Sequence, residues 1–220
     1  VAFVPVFSEV MESQGRREAF DMARGVLTLL LIFLALVVFV GEVAAPALVA
    51  LIAPGFLNDP IFATATHLTR IMFPYILLIG IVALFMGILN SLGHFAAPAA
   101  APILLNVCMI GLPVVGYVMF PVFRSPADAF AWGVILGGFA QIALQLRPLA
   151  RHGFGVRLSR GLRDRRLRRI ARLMGIAAIG ASVYQINVLV GTLLASLLER
   201  GSVAYLYYAN RSMELPLRIF

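Results

Sequence analysis

The sequence predicts an all-α, polytopic transmembrane helical bundle, and three observations predict it. Hydrophobic residues make up 61% of the 220 positions and charged residues 13%, against roughly 45–50% and about 25% in a soluble domain. So little polar surface cannot cover a soluble chain of this size. The apolar residues also fall into runs of about 20, the length that spans a ~30 Å hydrocarbon core. The basic residues gather in some of the segments between these runs and avoid others, as they do when basic loops stay in the cytoplasm.

Residues 1–10 read as the end of one helix, followed by the polar stretch 12–21. The core of a second span lies at 25–41. Beyond Glu42, the segment 43–53 is too short to cross alone, so it either extends that helix to the interface or lies along it. A turn at Asn58-Asp59-Pro60 precedes a third span at 63–92, in which Pro74 removes a backbone hydrogen bond and can kink the helix. A fourth span is predicted at 97–120, a fifth at 127–146 and a sixth at 173–198. A break at 199–201 leads to a last helix from Ser202. The chain begins without methionine inside an apolar run and stops in another, so it is read as an internal piece, truncated at both ends.

Each crossing changes side. All 18 basic residues are arginine, and ten of them lie in 147–172. If that stretch is cytoplasmic, parity makes 91–97 and 12–24 cytoplasmic too, the latter with Arg16, Arg17 and Arg24. Loops 54–62, 121–127 and 199–201 fall outside, carrying Arg124 and Arg200. The basic stretch 157–172 is expected to mix loop with the amphipathic start of the sixth span. It either anchors at anionic headgroups of the membrane lipids or gathers an anionic lipid substrate. The net charge of +8 is thus topological, and no nucleic-acid partner is expected.

No catalytic constellation is present: HExxH, GxSxG and Walker sequences are all missing. An enzyme is therefore not expected, nor is a metal site or a cofactor. His67, His94 and His152 lie far apart in sequence, at span ends or in loops. Cys108 reads as a small packing residue. Asn106, Gln141, Gln145, Gln185 and Asn187 suit interhelical hydrogen bonds. Glu42 and Arg70 fall near an interface, within reach of water.

The last helix carries the candidate site. From Ser202, Arg211 is nine residues in, which at 1.5 Å per residue is about 13 Å, near the middle of the core. A charge there costs at least about 2.5–3.5 kcal/mol, so it needs a wet cavity or a partner. Arg211, Glu214 and Arg218 stand at i, i+3 and i+7 on one face, with Asn210 adjacent. An arginine fork suits phosphate oxygens. An Arg211–Glu214 pair that only joins helices is the alternative. Pro216, like Pro74, leaves a carbonyl unpaired, giving either a hinge or a static bend.

The chain resembles the MurJ/MviN family of lipid II flippases, in the multidrug, oligosaccharidyl-lipid and polysaccharide exporter superfamily. The resemblance rests on Ala2-Phe3-Val4-Pro5-Val6-Phe7-Ser8-Glu9, Ala53-Pro54-Gly55-Phe56, Phe73-Pro74-Tyr75-Ile76-Leu77, Ile88-Leu89-Asn90-Ser91 and Ala101-Pro102-Ile103-Leu104-Leu105-Asn106. It continues through Gly137-Gly138 with Gln141, and Tyr207-Tyr208-Ala209-Asn210-Arg211 with Glu214-Leu215-Pro216. It implies a span from the end of the second helix to the start of the eighth, in a fold of about fourteen. Residues 1–172 would then belong to the N-terminal bundle and 173–220 to the start of the second. The implied activity moves the undecaprenyl-pyrophosphate-linked disaccharide-pentapeptide (lipid II) from the inner to the outer leaflet of the bacterial inner membrane by alternating access. Cell-wall synthesis proteins would be its partners. Arg211 matches an arginine that contacts the pyrophosphate, and Glu214 matches a nearby cavity acid. Asn210 stands where many relatives have aspartate, and Arg218 where many have a small residue. Gly191 stands near a sodium-binding position of some relatives, so no sodium site is implied. An exporter of another polyprenyl-linked glycan and a non-transporting membrane scaffold are the alternatives.

Overall fold

The computed structural model describes residues 3–120, 122–123, 125–159, 164–199 and 201–219. The side chains of Tyr184 and of residues 214–219 lie outside that description, as do Arg124 and Arg200. Every regular element among the described residues is helical. The α-helices are α1 (Phe3–Gln14), α2 (Arg16–Ile52), α3 (Ile61–Met72), α4 (Tyr75–Ser91), α5 (Ala96–Pro113), α6 (Pro126–Arg151), α7 (Arg165–Ser196) and α8 (Ser202–Ile219), with a short 3-10 turn at Pro54–Phe56. Five stretches among them are long and apolar enough to cross a membrane: Arg16–Ile52, Ile61–Ser91, Ala96–Met119, Pro126–Arg151 and Arg165–Ser196. The chain is a multi-pass helical membrane protein.

Several boundaries sharpen the sequence reading. The polar stretch 12–21 is mostly helical rather than loop. Its only interruption is Gly15, whose φ of 89° is a left-handed value that glycine adopts without a Cβ penalty. Helix α2 runs unbroken through Pro46 to Ile52, so 43–53 extends the span. Ala45 and Val49 are buried on the inner face there, and that packing holds the helix past its proline. As expected, the third span breaks at Phe73-Pro74. Phe73 N–H still bonds Thr69 O at 2.8 Å, whereas Pro74 has no N–H for the next carbonyl. The turn is fixed from outside, since the Phe73 ring lies against Gly41 where a Cβ would otherwise stand. The fourth span finishes in a six-residue π-helical turn, Val114–Met119, which the sequence reading did not anticipate.

The tightest pairing is α5 with α6. Gly133 faces the Cys108 carbonyl so closely that a Cβ would sit 2.8 Å from it, and one at Gly137 would meet Leu105 Cδ1 at 2.6 Å. Cys108 thus packs against a glycine face, as expected. Because backbone rather than a flexible side chain blocks the Gly133 position, Gly133→Val is expected to cost about 1–3 kcal/mol. Thermal unfolding of the full-length protein in detergent measures it.

At one end of the bundle, aromatic residues tie the elements together. Phe3–Phe7, Phe7–Phe20, Phe20–Phe154 and Phe85–Phe154 have ring centroids 5.2, 6.4, 5.4 and 6.5 Å apart. Such spacings suit stacked and edge-to-face pairs. Phe154, 1% exposed, anchors the start of the arginine-rich segment in this core.

Candidate functional site

The segments 12–24, 91–97 and 147–172 meet at this end. Arg16 Nη2 donates to the His152 carbonyl and Arg24 Nε to the Gly155 carbonyl. Arg166 reaches Gln14 and Glu18, and Arg169 reaches Glu9 at 3.0 Å. The rings of His94 and His152 are 5.8 Å apart, so the fold joins two histidines distant in sequence. Helix α7 begins inside the basic segment. Asp164 caps it by accepting from Arg166 N–H at 2.8 Å, and also pairs with the Arg166 guanidinium at 2.6 Å.

That guanidinium holds the Asp164 carboxyl below the usual carboxylate range. A carboxylate with a lowered folded-state pKa stabilises above its unfolded pKa, and the contribution fades as pH falls through the folded value. Asp164→Ala is therefore expected to cost about 1 kcal/mol at neutral pH and progressively less below about pH 4. Faster hydrogen exchange of the first α7 amides at neutral pH reads the effect.

From this capped start α7 is held at both ends and stands apart between them. Leu167 and Ile170 are buried in the core. At the far end the Gly55 N–H donates to Ser196 Oγ at 3.3 Å, and a Cβ at Gly55 would run into the Ser196 carbonyl. Every described side chain between 173 and 190 is exposed. An apolar groove of about 390 Å³, lined by residues such as Leu29, Phe33 and Met174, separates this part of α7 from α2.

Helix α8 packs on α7 and starts at Ser202, as the sequence predicts. Arg211 is exposed on it, its guanidinium carbon 5.6 Å from the Tyr207 ring centroid and its Nε 3.4 Å from the Tyr207 hydroxyl. Tyr207 sits four residues back on the same face, so the arginine is steadied over an aromatic ring. Asn210 beside it is also exposed. Tyr207 and Tyr208 extend toward a cleft of about 690 Å³ that also touches Gly55, Asp59 and Glu199. The side chains of Glu214, Pro216 and Arg218 lie outside the described residues, although the α8 backbone stays helical through all three. The structure does not bring Pro74 to this group. It lies at the α3–α4 junction, where Tyr75 OH is 3.5 Å from Gln141 Oε1.

Two polar expectations divide. Gln141, 2% exposed, bridges α6 to α5 by donating to Ala101 O at 2.9 Å. Gln145 instead bonds the Gln141 carbonyl within its own helix, at 3.4 Å. Asn106, Gln185 and Asn187 are exposed, because their faces of α5 and α7 have no helix packed against them here. Arg70 Nε touches the Glu42 carbonyl at 3.4 Å, and His67 Nε2 lies 3.3 Å from Asp128 Oδ1. Among the described residues no group of three or more His, Cys, Asp or Glu is placed to hold a metal ion.

Comparison with known proteins places these features in one family. The family model described as lipid II flippase MurJ matches residues 1–220. The protein named "Lipid II flippase MurJ" of Burkholderia cenocepacia is 36% identical over 220 residues, covering 98% of this chain and 42% of that protein. Those named "Probable lipid II flippase MurJ" of Buchnera aphidicola and Vibrio cholerae are 37% and 36% identical, covering 99% and 100% of this chain and 42% and 43% of their own lengths. The chain thus spans less than half the length of these curated relatives.

Proposed function

The chain belongs to the MurJ family of lipid II flippases, and from that premise we propose that it forms the middle of a transporter that moves lipid II across the bacterial inner membrane. The cargo is the undecaprenyl-pyrophosphate-linked disaccharide-pentapeptide. Residues 1–172 belong to one helical bundle and 173–220 open the second, and the two rock about a cationic cavity to give alternating access. The chemistry is binding and translocation, with no covalent step.

The observation that carries this reading is Arg211, exposed nine residues into α8 and steadied by Tyr207. Its planar fork can hold two pyrophosphate oxygens at once. Glu214 and Asn210 flank it, with Glu214 competing for the guanidinium until the anion arrives. Arg218 extends the path, while Pro216 and Pro74 serve as bending points. The meeting of 12–24, 91–97 and 147–172 at one arginine-rich end supports a cytoplasmic placement of all three. The exposed middle of α7 supports a cavity on this side of the first bundle.

Complementation of a flippase-depleted bacterium tests the reading, with the chain expressed within a full-length protein of its family. Rescue is expected. A protein that reaches the membrane without rescuing growth would point to export of another polyprenyl-linked glycan.

A further inference from the structure

A cluster of arginines lies where α2 begins and α6 ends. Arg16, Arg17 and Arg24 line a pocket of about 450 Å³ with Phe20, His152 and Gly153. Two of its guanidiniums, those of Arg16 and Arg24, are held in place before any ligand arrives. Arg16 donates to the His152 carbonyl and lies 5.3 Å from the Phe20 ring centroid. Arg24 donates to the Gly155 carbonyl, pairs with Asp21 at 2.6 Å, and lies 5.8 Å from the Phe154 centroid. A guanidinium has five N–H donors, so these ties leave others to face a ligand. Arg17 is exposed beside them. Asp21 offsets one of the three charges, and Glu18 on the same helix turns instead to Arg166.

The place of the pocket along the helices bears on what could occupy it. Arg24 immediately precedes the apolar run of α2, and His152 follows the end of α6, itself a membrane span. The pocket therefore stands where hydrocarbon gives way to headgroups. We propose that Arg16, Arg17 and Arg24 form a binding site for the phosphodiester headgroup of an anionic phospholipid, separate from the transport site and independent of what is transported. A lipid held there would clasp α2 to the α6–α7 connection and steady the segment from which α7 starts.

Native mass spectrometry of the full-length protein, given equimolar phosphatidylglycerol and phosphatidylcholine, tests this. Preferential retention of phosphatidylglycerol is expected. Arg17→Gln is the informative variant, because among the described residues Arg17 makes none of the backbone ties that hold Arg16 and Arg24. It should weaken phosphatidylglycerol binding about fivefold without shifting the unfolding temperature. Arg70→Gln, in the last turn of α3 and outside the pocket, should leave binding unchanged. Equal losses in the two variants, or equal retention of the two lipids, would overturn the site. Displacement of phosphatidylglycerol by millimolar inorganic phosphate would show that the pocket serves a free anion and overturn the lipid assignment.

Discussion

Arg211→Ala, made in the full-length protein, is expected to abolish rescue of a flippase-depleted strain while leaving the protein folded and in the membrane. The side chain is exposed and lies over the Tyr207 ring of its own helix, so its removal opens no buried cavity. What it would remove is the proposed charge-assisted, two-oxygen grip on pyrophosphate, worth about 1.5–3 kcal/mol per bond. Two such bonds correspond to a loss of more than a hundredfold in the population of loaded transporter. Arg211→Lys keeps the charge and loses the fork, so it should retain partial function. Full rescue by the alanine variant would remove Arg211 from the transport site.

Gly55→Val is the second large effect. At this position the chain turns against the end of α7, with the Ser196 carbonyl standing where a Cβ would go. Backbone on both sides leaves nothing flexible to yield. The substitution must push the 54–56 turn off α7 and break the Gly55–Ser196 hydrogen bond. A cost of only about 1.4 kcal/mol raises the separated population tenfold. Ala195, 7% exposed at this contact, reports it. In a Cys108→Ala background, Ala195→Cys should react with a maleimide slowly, and roughly tenfold faster once Gly55→Val is added. Equal rates would mean that this contact does not hold α7.

Much of this was legible in the residues, and for identifiable reasons. Run lengths of apolar sequence placed the spans, because a membrane imposes a minimum length. The break at 199–201 and Pro74 marked the start of α8 and the junction of α3 and α4, because the left-handed turn at Gly201 and the missing proline N–H act locally. Arg211 lies nine residues into α8, as the start at Ser202 implies.

What was not legible depended on contacts between distant residues. Phe154 looks like one apolar residue in a basic segment, and only the fold shows it closing the core between α2 and α4. The passage of α2 through Pro46 rests on burial of Ala45 and Val49, which a local reading of proline cannot supply. The pocket at Arg16, Arg17 and Arg24 needs His152 and Gly153 from more than a hundred residues away. At the candidate site itself, sequence identified the arginine and its helix face but not the aromatic ring that steadies it. Tyr207 was already visible at i−4, and that spacing to an arginine is the signal that would have found it.

The most direct test is to measure lipid II at the outer face of flippase-depleted cells carrying the full-length protein, using an externally added enzyme that cleaves lipid II only where it is exposed. Cleavage is predicted to appear with the wild-type protein and to stay at the depleted level with Arg211→Ala. Equal cleavage with both, or none with either when both are in the membrane, would contradict lipid II transport through a site built on Arg211.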